Sequence, residues 1–222
     1  MKKCIVFAAL LALITSHPAF ADIIGGAVTG GTALTAGGVF VKLSTPLPNL
    51  FGPPNSVGND NFQSPNLYAF DELQNFTLTS PLTVDVGSSP IPAGTVVSSQ
   101  YVFFDPGPTQ HVIGTVDFDA DVLAILTSTT TLAGSDFLGR PGVNYLDPAE
   151  RGLEPGDSVT IGSSRQTLVD VVASSPGDYV RVLTAASPTS AMPEPGSLTL
   201  LGSGIFALAG ITRRKYRRSD RK

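Results

Sequence analysis

The stretch Asp117-Phe118-Asp119-Ala120-Asp121 sets three carboxylates at alternate positions. In an extended chain Asp117, Asp119 and Asp121 point to one side. Hard oxygen ligands on one side suit Ca²⁺, which tolerates loose geometry. The glycine and terminal glutamate of an EF-hand loop are missing here. The plainer reading is a charged turn, with aspartate bonding its own backbone. No cofactor other than this Ca²⁺ is expected. Past residue 21 there is a single histidine, His111. Ser98, Ser99 and Asp105 lie near it in sequence, but no G-x-S-x-G nucleophile elbow is present. Zinc takes three or four Cys, His or carboxylate ligands in proper spacing, and one histidine with no cysteine argues against a protein-built site. The early glycines lack the strand–loop–helix setting of a phosphate cradle. No catalytic residue is therefore assigned, and the chain is read as not an enzyme. Tyr68, Tyr101 and Tyr145 are candidates for stacking on a sugar, if they share an exposed groove.

The two ends carry other signals. Lys2 and Lys3 precede the apolar run Cys4 to Ile14, and Ala19-Phe20-Ala21 supplies small residues at both positions that a signal peptidase inspects. This predicts a signal peptide over 1–21, cut between Ala21 and Asp22. The only cysteine, Cys4, would leave with it, so the mature chain can form no disulfide. At the other end, residues 196–212 are uncharged. Those 17 residues would make a helix of roughly 25 Å, near the short limit for crossing a hydrocarbon core. Arg213, Arg214, Lys215, Arg217 and Arg218 follow as a basic stop. The positive-inside rule places them in the cytoplasm and the body outside the inner membrane. Both ends predict the same topology.

Just before the apolar run stand Pro193, Glu194 and Pro195. Triplet, Gly-bearing apolar stretch and terminal basic block together resemble the PEP-CTERM sorting signal of Gram-negative bacteria. That resemblance covers about thirty residues, 193–222. It implies recognition by a membrane-embedded exosortase, cleavage near the triplet, and release to the cell surface or the extracellular matrix. It also implies a setting of exopolysaccharide and biofilm.

The body must position whatever else the chain does. Between Asp22 and Ala191 there are five basic residues against sixteen acidic ones, whereas residues 213–222 hold seven basic and one acidic. So acidic a body excludes nucleic acid as a partner, because phosphate contacts need clustered Lys and Arg. With 23 Gly, 18 Pro and many Val, Thr and Ser, the chain favours turns and strands. Strand-like runs fall at 37–43, 74–79, 82–86, 95–104, 111–118, 121–129, 158–161, 167–174 and 178–184, with a short helical turn within Gly134–Pro141. The spacing predicts an all-β fold: a single antiparallel β-sandwich, jelly-roll-like, over 22–185. A Pro/Asn/Gly-rich loop spans 44–66, and 186–192 reads as a linker. In the last run Tyr179, Arg181 and Leu183 share one face, and Val180, Val182 and Thr184 the other. Glu154-Pro-Gly-Asp157 and Ser175-Pro-Gly-Asp178 repeat a turn before a strand, with glycine at a position needing φ > 0; this reads as hairpin chemistry.

The expected function is that of an exported surface or biofilm-matrix protein with a structural or interaction body. A carbohydrate-binding module for exopolysaccharide is the alternative, and a secreted hydrolase is a further one.

Overall fold

The computed structural model describes residues 22–44, 52–58 and 60–186. The signal run, the sorting triplet, the 196–212 helix and the basic stop lie outside the described residues. In chain order the elements are β1 (Ile23–Gly30), α1 (Gly31–Thr35), β2 (Phe40–Lys42), β3 (Ser56–Val57), β4 (Leu67–Asp71), β5 (Phe76–Thr77), β6 (Val86–Gly87), β7 (Val96–Phe104), β8 (Gln110–Phe118), β9 (Val122–Leu126), α2 (Thr129–Gly134), a 3₁₀ turn (Asp136–Leu138), β10 (Asn144–Tyr145), β11 (Ser158–Ser163), β12 (Gln166–Ala173) and β13 (Asp178–Ala185). The described chain is thus mostly strand, and the all-β expectation holds.

Strands assemble into a four-stranded sheet, β1-β8-β12-β11, and a larger sheet, β2-β4-β7-β13-β9-β6, in which β5 also pairs with β7. Most pairings are antiparallel, but β2 runs parallel to β4, and β10 parallel to β3. The expectation of a purely antiparallel body is corrected at these two places. β2 and β4 flank the 44–66 segment, which supplies the long crossover that a parallel neighbour needs. β3 lies within that segment, which is therefore not all loop, and pairs with the distant β10.

Alternation in β8, β12 and β13 builds the core between the sheets. Val112, Val116 and Phe118 of β8 meet Val169 and Val171 of β12, and Val180 and Val182 of β13. The larger sheet buries its other face as well. There Tyr68, Phe70, Tyr101, Phe103, Tyr179 and Leu183 pack beneath a loop layer that contributes Phe62, Leu78, Leu82, Leu132 and Leu138. β13 therefore lies between two cores, and seven of its eight residues are buried. Both of its faces accordingly carry large buried side chains, Tyr179, Arg181 and Leu183 on one and Val180 and Val182 on the other.

β1 carries Gly25 and Gly26 mid-strand, which hides it from a propensity reading. The structure shows what Gly26 does. A Cβ there would lie 2.6 Å from the Phe40 ring and from the Thr115 carbonyl oxygen. Glycine lets β1 approach both β8 and β2.

Candidate functional site

Four charged side chains meet under the loop layer. Arg181 projects from β13 with no exposure. Its Nε donates to Glu72 Oε2 at 2.7 Å and its Nη2 to Glu72 Oε1 at 2.9 Å. Nη1 donates to Ser135 Oγ at 2.6 Å and to the Leu132 carbonyl at 3.1 Å. Arg151, 1% exposed, forms a fork–fork pair with Asp136 at 2.9 and 2.7 Å. Asp136 Oδ1 also lies 3.4 Å from Arg181. Tyr145 Oη and Ser99 Oγ each donate to Glu72 at 2.5 Å. The Arg181 guanidinium sits over the Tyr101 and Tyr145 rings, 5.3 and 5.5 Å from their centroids.

Two cations and two anions balance within this cluster. Burial alone would lower the affinity of Arg181 for its proton, but Glu72 more than offsets this and raises it. Arg151 behaves alike, raised by Asp136 against its own burial. Burial pushes Tyr101 up to about 12, even with Arg151 and Arg181 alongside. Both Glu72 oxygens have two donors each, so neither is free to act as a base. The arrangement ties α2, the 3₁₀ turn and β10 to the larger sheet. Sequence reasoning missed Glu72, Asp136 and Arg151, and placed Arg181 only on a strand face. An arginine alternating with Tyr and Leu on an apolar face needs a buried carboxylate. Its partner, Glu72, is 109 residues away.

The sequence-selected residues separate. Asp117 accepts from Gln166 Nε2 at 2.6 Å, Asp119 from the Asp22 backbone N–H at 2.9 Å, and Asp121 pairs with Arg165 at 3.2 Å. Among the described residues no three His, Cys, Asp or Glu side chains form a metal-holding group. Here the alternating carboxylates serve strand edges and the β8–β9 turn. His111 Nε2 lies 2.6 Å from Asp170 Oδ1 on the smaller sheet. Ser99 is bound to Glu72, Ser98 to the Asn75 backbone N–H, and Asp105 to the Phe62 N–H. The fold does not bring these residues to His111. Tyr68 and Tyr101 are 9% and 0% exposed, and Tyr145 packs on Tyr101 with ring centroids 5.2 Å apart. The three tyrosines belong to an internal cluster and form no exposed platform.

Two carboxyls, Asp105 and Asp178, are strongly perturbed. Asp105 is buried, and burial followed by the nearby Asp60 carboxylate pushes it up to about 6, although it accepts from the Phe62 N–H and the Tyr179 hydroxyl. Asp178 is pushed up to about 8 by burial, then by Asp157 and Glu154.

Comparison with known proteins bears on the carboxyl end. Residues 193–218 match the PEP-CTERM protein-sorting motif. The chain carries a PEP-CTERM sorting signal. That signal marks an exported protein whose precursor transits the membrane and is handled by exosortase. The match agrees with the triplet, span and basic block read from the sequence. No curated protein and no solved structure matches the chain. No helix among the described residues is long and apolar enough to cross a membrane; the 196–212 span lies outside them.

Proposed function

We propose that this PEP-CTERM protein is a cell-surface or biofilm-matrix component with a structural, non-catalytic body. The sorting-motif match at 193–218 carries the reading. In this scheme a signal peptidase cuts between Ala21 and Asp22. The 196–212 helix then holds the chain in the inner membrane with the body in the periplasm. Exosortase acts near Pro193-Glu194-Pro195, and the body reaches the surface.

The surroundings of Asp22 suit the first cut. Its N–H donates to Asp119 Oδ1 at 2.9 Å, and its carbonyl accepts from the Asp119 N–H at 3.1 Å. The next N–H, of Ile23, donates to Asp71 Oδ1 at 2.9 Å, and Lys42 Nζ reaches the Ile23 carbonyl at 2.8 Å. A new α-ammonium at Asp22 would meet the Asp119 carboxylate, which suits a positive charge. A structural role for the body is supported by the Glu72–Arg181 and Asp136–Arg151 pairs, which satisfy each other. The burial of Tyr68 and Tyr101 weighs against sugar stacking.

The test replaces Pro193-Glu194-Pro195 by three alanines in a host that has the sorting enzyme. Fractionation should show the unaltered protein leaving the inner membrane and the variant retained there. Identical distributions would reduce the carboxyl end to an ordinary anchor.

A further inference from the structure

Charge collects around Asp22, where β1 begins. Ile23 opens β1 and pairs with Phe118, the last residue of β8, so the residue before Ile23 lies against the β8–β9 turn. The Asp22 nitrogen donates to Asp119 Oδ1 in that turn at 2.9 Å, and the Asp119 N–H returns a bond to the Asp22 carbonyl at 3.1 Å. The next nitrogen, of Ile23, donates to Asp71 Oδ1 at 2.9 Å. Lys42 Nζ joins Asp71 Oδ2, at 2.7 Å, to the Ile23 carbonyl, at 2.8 Å. The start of β1 is thus held to the end of β8, to β4 and to β2.

The charges at this corner do not balance. Asp22, Asp71 and Asp119 are carboxylates, and the one cation bonded among them, Lys42, is already taken by Asp71. Among the described residues no Lys, Arg or His pairs with Asp119. Its neighbours in the turn are committed elsewhere: Asp117 accepts from Gln166, and Asp121 holds Arg165. Glu72 and Arg140 line the open groove beside Asp22 and Asp71, and Glu72 is held by Arg181. Desolvation, then Asp71, raises the Asp22 carboxyl above its ordinary value; Lys42 opposes this and Asp119 adds to it. A further positive charge is therefore favourable here. The Asp22 nitrogen is where cleavage would create one.

We propose that removal of the leader installs an ion pair between the α-ammonium of Asp22 and the Asp119 carboxylate, so that the body reaches its full stability only once it has been cut. The proposal rests on the cut between Ala21 and Asp22 argued above. Hydrolysis breaks the amide C–N bond. Water supplies the second oxygen of the Ala21 carboxylate, and the Asp22 nitrogen departs as an amine that is protonated at neutral pH. An α-amino group holds its proton up to about pH 8. Before the cut that nitrogen is a neutral amide with one N–H. After it, the same nitrogen is a cation facing the same carboxylate oxygen. Asp22 is exposed, so water screens the contact and the gain is that of a surface pair. Pairing favours the charged amine in the folded state. The gain is therefore full below about pH 8 and is lost as pH rises and the ammonium gives up its proton.

The test compares two chains in detergent, both ending at Lys222. One begins at Asp22; the other begins at Ala19 and so keeps the Asp22 nitrogen as an amide. In urea denaturation at about pH 6.5 the Asp22 chain should have a folding constant about two- to fivefold larger. At about pH 10, with the ammonium deprotonated, the two should be equal. Asp119→Asn should erase the difference at the lower pH. Asp121→Asn, which alters the neighbouring carboxylate held by Arg165, should preserve it. Equal stability of the unaltered chains at about pH 6.5 would overturn the proposal. So would a difference that persists at the higher pH, survives in Asp119→Asn or disappears in Asp121→Asn. The pH comparison needs no variant, so it decides the matter if Asp119→Asn fails to fold. Both chains are prepared directly, so equal stability would remove the ion pair alone. Where the leader is cut is answered separately, by the intact mass of the surface form.

Discussion

Glu72 is the residue on which the buried charge cluster turns. Removing its carboxylate leaves Arg181, at zero exposure, with only Asp136 at 3.4 Å, which Arg151 already holds. Breaking such a pair on one side typically costs about 3–5 kcal/mol, and Glu72→Ala should lose stability on that scale in urea denaturation. Replacing Glu72 and Arg181 together by apolar residues of similar volume should cost clearly less than Glu72→Ala alone. Equal losses would show that the pair does not act as a unit. Asp105 gives a pH signature. Unfolded, it releases its proton at about pH 4; folded, it holds it up to about 6. Between these values the folded state binds more protons, so stability falls as pH rises through the window. The groups facing it are the Asp60 carboxylate, the Tyr179 hydroxyl and the N–H groups of Asn61 and Phe62. Asp105→Asn should flatten the Asp105 part of the slope between pH 4 and 6. An unchanged slope in denaturation series at several pH values would remove Asp105 from the account.

At the scale of elements, the paired turns separate two effects of glycine. Gly156 and Gly177 both take positive φ, +111° and +86°. A Cβ at Gly156 would meet nothing within 4 Å, whereas one at Gly177 would lie 2.9 Å from Asp105 Cα and from the Phe104 carbonyl oxygen. Gly156→Ala should therefore cost only the backbone strain, about 1 kcal/mol. Gly177→Ala should cost at least about twice that, because backbone must move as well. Thermal unfolding of both variants checks the ranking, and equal losses would contradict it. The same turns mark what could be read beforehand. Their glycines, the long strands β7, β8, β12 and β13, and the two faces of β13 follow from residue type, period and turn chemistry. β1 is hidden by Gly25 and Gly26; at Gly26 the reason is the close approach of Phe40 and Thr115. β4 was hidden because Leu67–Asp71 directly follows the irregular 44–66 segment. Sequence spacing gathered Asp117, Asp119 and Asp121. The fold instead gathers Glu72 and Asp136 with Arg151 and Arg181, Glu72 lying 109 residues from Arg181, which no local pattern can reveal.

For the whole molecule, charge and order along the chain agree. An acidic body lies between an apolar leader and an apolar, basic-ended tail, and the described strands run from Ile23 to Ala185. The sorting match at 193–218 begins eight residues after β13 ends. Cleavage there would leave every described strand intact. Intact-mass measurement of the surface form, from a host with the sorting enzyme, tests this directly. The account predicts a chain that begins at Asp22 and lacks everything beyond the Pro193-Glu194-Pro195 region. A surface form that still carries Lys222 would contradict it.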